Sequence, residues 1–176
     1  ALAGDRDPTI ATEAAIAAGG GPAAARAVER AAGSSDWAVR AGAANLATRA
    51  LGKDAALGLA RKLAGDPELP VRLAAARVLA HAGDRPAAAA IFAAALATDR
   101  RIDAAVDLAM QDDPRGAQAL DDAVRDPEHG VANRAAAAAA HRAAHRITPG
   151  LVAALADGSG AVRVEAAGAL ALLTRH

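Results

Sequence analysis

The chain has 176 residues, 59 of them alanine, with one Trp, one Phe, one Met and neither Tyr nor Cys. An apolar content of 53% excludes a disordered chain. The 20 basic residues are matched by 20 acidic ones, so no surplus charge favours nucleic-acid phosphates, and the missing aromatics remove the stacking platforms of single-strand binders.

Without Cys there are no disulfides, no thiolate catalysis and no Cys-ligated zinc. Alanine is the strongest helix former, so helices are predicted and strands are not. The longest uncharged apolar stretch, Pro86 to Thr98, has 13 residues. Crossing a bilayer takes about 20, so no membrane insertion is expected. No secretory signal is evident, and no compartment is indicated; the cytoplasm is the default expectation.

Along the chain one phrase recurs: an acidic turn, a β-branched anchor, then an Ala-rich helix. The anchors are Ile10, Val39, Val71, Ile102, Val131 and Val162, at spacings of 29, 32, 31, 29 and 31. Small pairs follow four and five places later: Ala14-Ala15, Ala43-Ala44, Ala75-Ala76, Ala135-Ala136 and Ala166-Ala167. The fourth unit departs, with Val106-Asp107. Between these helices lie others opened by breakers: Gly21-Pro22 before residues 23–32, Asp54 before 55–64, Arg85-Pro86 before 87–97, Asp113-Pro114 before a stretch ending near Arg125, and Thr148-Pro149 before one ending near Ala156. Proline suits the first helical position, and Asp or Thr before it caps the helix. Helices of about twelve residues are marginal alone. The unit is therefore two helices, and stacked units bury a shared core.

The phrases Asp66-Pro67-Glu68-Leu69-Pro70-Val71-Arg72 and Asp157-Gly158-Ser159-Gly160-Ala161-Val162-Arg163 resemble HEAT repeats, in the short, roughly 30-residue form found in phycobilin lyase subunits. The resemblance covers essentially the whole chain. It implies an all-α, right-handed α-solenoid (HEAT/armadillo-like superhelix) of about six two-helix repeats. It also implies a ladder in which a turn Asp meets an Arg on the second helix; Asp66 with Arg72 and Asp157 with Arg163 match it, while Arg40 follows Ser34 instead. The motif specifies fold and is nearly silent about function. Residues 1–4 read as the tail of a helix, and Leu170, Leu172 and Leu173 leave an apolar end. A single repeat domain over 1–176 is expected, as a fragment of a longer solenoid or multidomain chain.

Candidate chemistry is sparse. His141 and His145 share a helical face at a spacing that suits one metal ion, but Arg142 and Arg146 flank them and no acid lies on the same helix. HEAT-like deoxyhypusine hydroxylases bind iron through His-Glu steps; only the reverse, Glu128-His129, occurs here. Gly19-Gly20-Gly21 lacks the Lys-Ser/Thr of a phosphate loop, and Asp103 with Asp107 reads as a ladder substitution beside a solvated position. No enzyme activity, cofactor or metal is expected.

What remains is surface. Counting from each anchor, positions three, six and ten point away from the core. In HEAT-like proteins the second helices line the concave face. That ribbon reads Glu13; Asn45 and Arg49; Arg77 and His81; Leu108 and Asp112; Arg134 and His141; Glu165 and Leu172. The expected role is an interaction scaffold or adaptor that binds a protein partner or flanking domain through Asn45, Arg49, Arg77, His81, Asp112, Arg134 and His141. The alternatives are a lyase-like subunit cradling a tetrapyrrole and, less favoured, a nucleic-acid-binding HEAT-like domain. Trp37 is expected to plug the space between units.

Overall fold

The computed structural model describes residues 21–175, with Ile10, Glu13, Ala14 and Ala17 before them. Among these residues the chain is entirely helical. Ten α-helices follow one another: α1 (Gly21–Ala32), α2 (Trp37–Ala50), α3 (Lys53–Leu63), α4 (Leu69–Ala82), α5 (Arg85–Ala95), α6 (Arg101–Ala109), α7 (Pro114–Arg125), α8 (Gly130–Ala144), α9 (Pro149–Ala153) and α10 (Gly160–Leu173). Single 3-10 turns, Pro127–His129 and Ala154–Ala156, precede α8 and extend α9.

The helices start where the breakers place them. Asp36 accepts the Ala38 N–H at 2.8 Å, Asp113 the Arg115 N–H at 3.0 Å and Thr148 the Leu151 N–H at 3.3 Å, each satisfying a donor that a helix start leaves without an intrahelical partner. Gly83, at φ +99°, ends α4 in a left-handed conformation that glycine adopts without strain.

The chain divides into two compact units, with the division inside α5 between Ile91 and Phe92. In the first, α2 packs against α1, α3 and α4, and α4 also packs against α3. Its buried side chains include Val28, Ala43, Ala44, Leu46, Leu63, Val71, Leu73 and Leu79. In the second, α8 packs against α6, α7 and α10, and α7 packs against α6 and α9. One apolar cluster there joins Val124, Ala137, Ala138, Leu151, Val162 and Ala166; another joins Ala105, Ala109, Leu120 and Ala144.

Burial corrects the expected register in the fourth and fifth repeats. Val71 and Val162 are fully buried, but Val39 and Ile102 are half-buried and Val131 is 45% exposed. The buried small pairs are Ala43-Ala44, Ala75-Ala76, Ala104-Ala105 and Ala137-Ala138, with Ala166 in the last helix. The fourth pair therefore lies two residues before the expected place, and the fifth two residues after it. The extra 3-10 turn Pro127–His129 moves α8 along its sequence and strands Val131 in its first turn.

Trp37 is also not a plug. It is the first residue of α2, set there by the Asp36 cap, and it is 44% exposed. Ala1 to Gly4, the expected tail of a first helix, lie outside the described residues.

Candidate interaction surface

Arginines fix the turns that open three of the second helices, α2, α4 and α10. Arg40 NH1 donates to the carbonyls of Ser34 and Ser35 at 2.9 and 3.0 Å. Arg72 NH1 does the same to Asp66 and Pro67, both at 2.7 Å, and Arg163 NH1 to Asp157 and Gly158 at 2.7 and 3.1 Å. The separation is the same each time because the motif repeats. The aspartate of each turn folds its own loop: Asp66 accepts the Glu68 N–H at 3.0 Å and Asp157 the Ser159 N–H at 2.8 Å. Ser34 substitutes its hydroxyl, accepting the Asp36 N–H at 3.2 Å.

One of these arginines also joins successive helix pairs. Arg40 presents its other edge as a fork to Asp66, Nε to Oδ2 at 2.7 Å and NH2 to Oδ1 at 2.9 Å. This guanidinium fork holds the Asp66 carboxyl below its usual range. In the second unit Arg134 takes that part, with NH1 2.5 Å from Asp157 Oδ2. Arg134 was expected on the binding ribbon; it is a half-buried strut instead.

Two further ribbon positions are corrected. Leu108 and His141 are fully buried. Once the register is set by the buried pairs, His141 falls in a column with Ala47, Leu79 and Leu108, the core position three residues beyond each pair. The outward positions become Asn45, Arg49, Arg77 and His81 in the first unit, all exposed, and Val106, Met110, Ala139, Ala143, Gly168 and Leu172 in the second. Of the second set, Met110 is 65% and Leu172 48% exposed. The outward face is thus polar and basic on α2 and α4, and apolar on α6, α8 and α10. Asp112 is exposed at φ +61°, in the bend before α7.

His141 anchors a polar cluster that sequence reasoning missed. Its Nδ1 lies 2.9 Å from the Ala137 carbonyl, which can only accept, so Nδ1 carries the proton. Nε2 faces Thr148 Oγ1 at 3.0 Å, and the same hydroxyl donates to Asp121 Oδ1. Arg125, one turn along α7, donates to Asp121 Oδ2 at 2.8 Å. Burial pushes the His141 pKa down, against the smaller opposing pulls of the Ala137 carbonyl and Asp121. The ring is therefore neutral at pH 7, and the single Thr148 proton serves two acceptors. Asp121 fits because α9 offers Gly150 beneath it: any Cβ there would overlap the carboxylate. The Thr148 hydroxyl thus sits between a fully buried imidazole and a carboxylate.

His145 does not join His141. It is exposed and left-handed (φ +50°), ending α8. Among the described residues no group of three or more His, Asp or Glu could hold a metal ion, and no helix is long and apolar enough to cross a membrane. An open groove of about 300 Å³ in the second unit is lined by Leu96, Arg101, Ala119, Asp122, Ala123, Asp126 and His129. Within it His129 lies 2.5 Å from Asp126. The Glu128 N–H first, then the nearby His129 and Arg101 charges, hold the Asp126 carboxyl below its usual range.

No protein-family model, curated protein or solved structure matches the chain.

Proposed function

We propose that the chain is a HEAT-like right-handed α-solenoid and serves as a scaffold that binds a protein partner along the outward face of its second helices. The repeated arginine clamp and the arginine–aspartate links between successive helix pairs support the solenoid. The observation that carries the function is the composition of the outward face. It places Asn45, Arg49 and His81 at equivalent positions in the first unit, and Met110 and Leu172 in the second. Exposed Met is an adaptable apolar contact, and Arg is the charged residue most enriched among binding anchors. A partner segment with acidic and apolar stretches is the complementary chemistry.

The test is site-specific photocrosslinking from Arg49 and Met110, with Arg26 and Lys62 on α1 and α3 as control sites. A partner trapped from the first pair and not the second supports the reading. Arg49→Glu combined with Met110→Asp is then expected to weaken its binding at least about tenfold, as loss of an anchor does, with an unchanged melting curve. Equal capture from α1 and α3 would place the interface elsewhere.

A further inference from the structure

The groove of the second unit holds more hydrogen-bonding capacity than its own residues use. Its walls are apolar at Leu96, Ala119 and Ala123, and polar at Arg101, Asp122, Asp126 and His129. The acids are taken. Asp126 Oδ1 accepts the Glu128 N–H at 2.9 Å, and its Oδ2 lies 2.5 Å from His129 Nδ1. Asp122 Oδ1 accepts from Gln118 Nε2 at 2.8 Å and meets Arg125 NH2 at 3.4 Å.

The bases are not. Arg101 is half-buried and its charge helps hold the Asp126 carboxyl low, yet its guanidinium makes no hydrogen bond or ion pair among the described residues. His129 is more confined. Its side chain is 10% exposed, both ring nitrogens are shielded from water, and neither makes an aligned hydrogen bond among the described residues. A lone pair cannot sit so close to a carboxylate oxygen, so Nδ1 carries a proton. Nε2 is then a donor only when the ring is an imidazolium. A buried nitrogen left without a partner is costly, and a ligand oxygen would relieve it. A ligand matching what is unspent must bring negative charge and some apolar surface. The planar donor fork of Arg101 suits a carboxylate. The volume, about 300 Å³, is at the small end of ligand sites.

We propose that this groove binds a small organic carboxylate, its oxygens held between the Arg101 guanidinium and His129 Nε2 and its aliphatic body against Leu96, Ala119 and Ala123. None of these residues belongs to the second-helix ribbon, so failure to trap a partner at Met110 leaves the proposal standing. The probe is hexanoate, titrated into the full chain and followed through the methyl resonances of Leu96, Ala119 and Ala123. Hexylammonium and inorganic phosphate are the comparisons. Hexanoate is expected to shift those methyls saturably. Arg101→Gln is expected to weaken binding about tenfold or more, with an unchanged melting curve because Arg101 has no partner to lose, and Arg101→Lys to recover part of the loss. Affinity is expected to rise several-fold from about pH 8 to about pH 6, as the anion draws a proton onto His129. The charged groups that line the groove with His129 are Arg101 of α6, Asp122 of α7 and Asp126 at the end of α7, and side chains of those types do not ordinarily titrate in that window. His129→Gln is expected to flatten the rise. No methyl shift at millimolar hexanoate overturns the proposal, as does undiminished binding to Arg101→Gln or an affinity indifferent to pH. Hexylammonium binding as tightly as hexanoate would make the groove a cation site, and phosphate doing so would leave the apolar wall without a part; either result also overturns it.

Discussion

The two units solve one packing problem in different ways. In the first, methyl groups and leucines fill the space between helices, and the helix glycines Gly42 and Gly58 face nothing within 4 Å. In the second, backbones come into direct contact. A Cβ on Gly116 of α7 would overlap the Ala105 carbonyl and the Ala109 backbone of α6, and at Gly150 a backbone meets a side chain, the Asp121 carboxylate. The second unit also contains the buried polar side chains found among the described residues, Asp121 and His141. A core made of alanine leaves little volume to adjust. It closes by stacking methyls or by bringing backbones together at glycine, and the second route creates polar spaces that must be satisfied internally.

The sharpest way to break this comparison is to add one methyl group in each unit. Gly116→Ala forces α6 and α7 apart against backbone atoms that have no rotamer to move. Overpacking of this kind costs about 1–3 kcal/mol, and more where nothing yields. Gly58→Ala in α3 fills open space and removes backbone freedom from the unfolded chain, so it is expected to stabilise by about 0.5–1 kcal/mol. Urea denaturation of the two variants should move the midpoint in opposite directions. A tolerated Gly116→Ala would show that α6 and α7 do not pack backbone to backbone.

Next in size is the Thr148 hydroxyl, which serves Asp121, His141 and the Leu151 N–H at once. Thr148→Val keeps the shape and leaves Asp121 and Leu151 short of partners. The expected loss is about 2–3 kcal/mol, from stranding buried polar groups. His141→Leu should behave differently. The column already holds Leu at 79 and 108, Thr148 still serves Asp121, and the Ala137 carbonyl keeps its own helical bond. Its effect should appear in the pH profile. Burial lowers the folded-state pKa of His141, so the unfolded chain binds more protons than the folded one just below the ordinary histidine value of about 6.5. Stability from this group is full above that value and falls as pH drops from there toward the lowered folded pKa. The wild type is expected to lose stability from near pH 6.5 downward, and His141→Leu to remove that slope. An identical slope in the variant would assign it to another group.

The sequence made the helices and their starts legible because those depend on neighbours: Asp113 before Pro114, Thr148 before Pro149, and arginines six residues beyond Ser34, Asp66 and Asp157. It did not reveal the register of α6 and α8, because an anchor-to-anchor spacing cannot show that Pro127-Glu128-His129 forms a turn of its own. The shift moved Leu108 and His141 from the surface to the core. The burial of His141 was equally hidden, since its justification lies in Asp121, Thr148 and Gly150 on other helices. Once the Ala137-Ala138 pair replaces Ala135-Ala136 as the reference, His141 aligns with Leu79, and that alignment is the signal a sequence reading could have used. The outward face changed accordingly, from a ribbon basic-leaning in its middle and acidic or apolar at its ends to a basic set in one unit and an apolar set in the other.

The smallest expected effect separates the two arginine links. Arg40 holds Asp66 as a two-point fork and clamps its own turn, whereas Arg134 is joined to Asp157 through NH1 alone. A lysine reproduces a point charge but not a planar fork. Arg40→Lys should therefore lower the melting temperature more than Arg134→Lys, although both arginines are similarly covered by their neighbours. Acid sharpens the test in the first unit. The Arg40 fork depresses the folded-state pKa of Asp66, so the stability it supplies is present above the unfolded value near 3.8 and disappears as pH falls through the depressed value. Asp66→Asn should lower stability at pH 7 and flatten the acid limb below about pH 4. It should leave untouched the slope near pH 6 that belongs to His141. If Arg40→Lys and Arg134→Lys prove equal, the fork contributes no more than a single contact and helix pairs are linked alike within each unit.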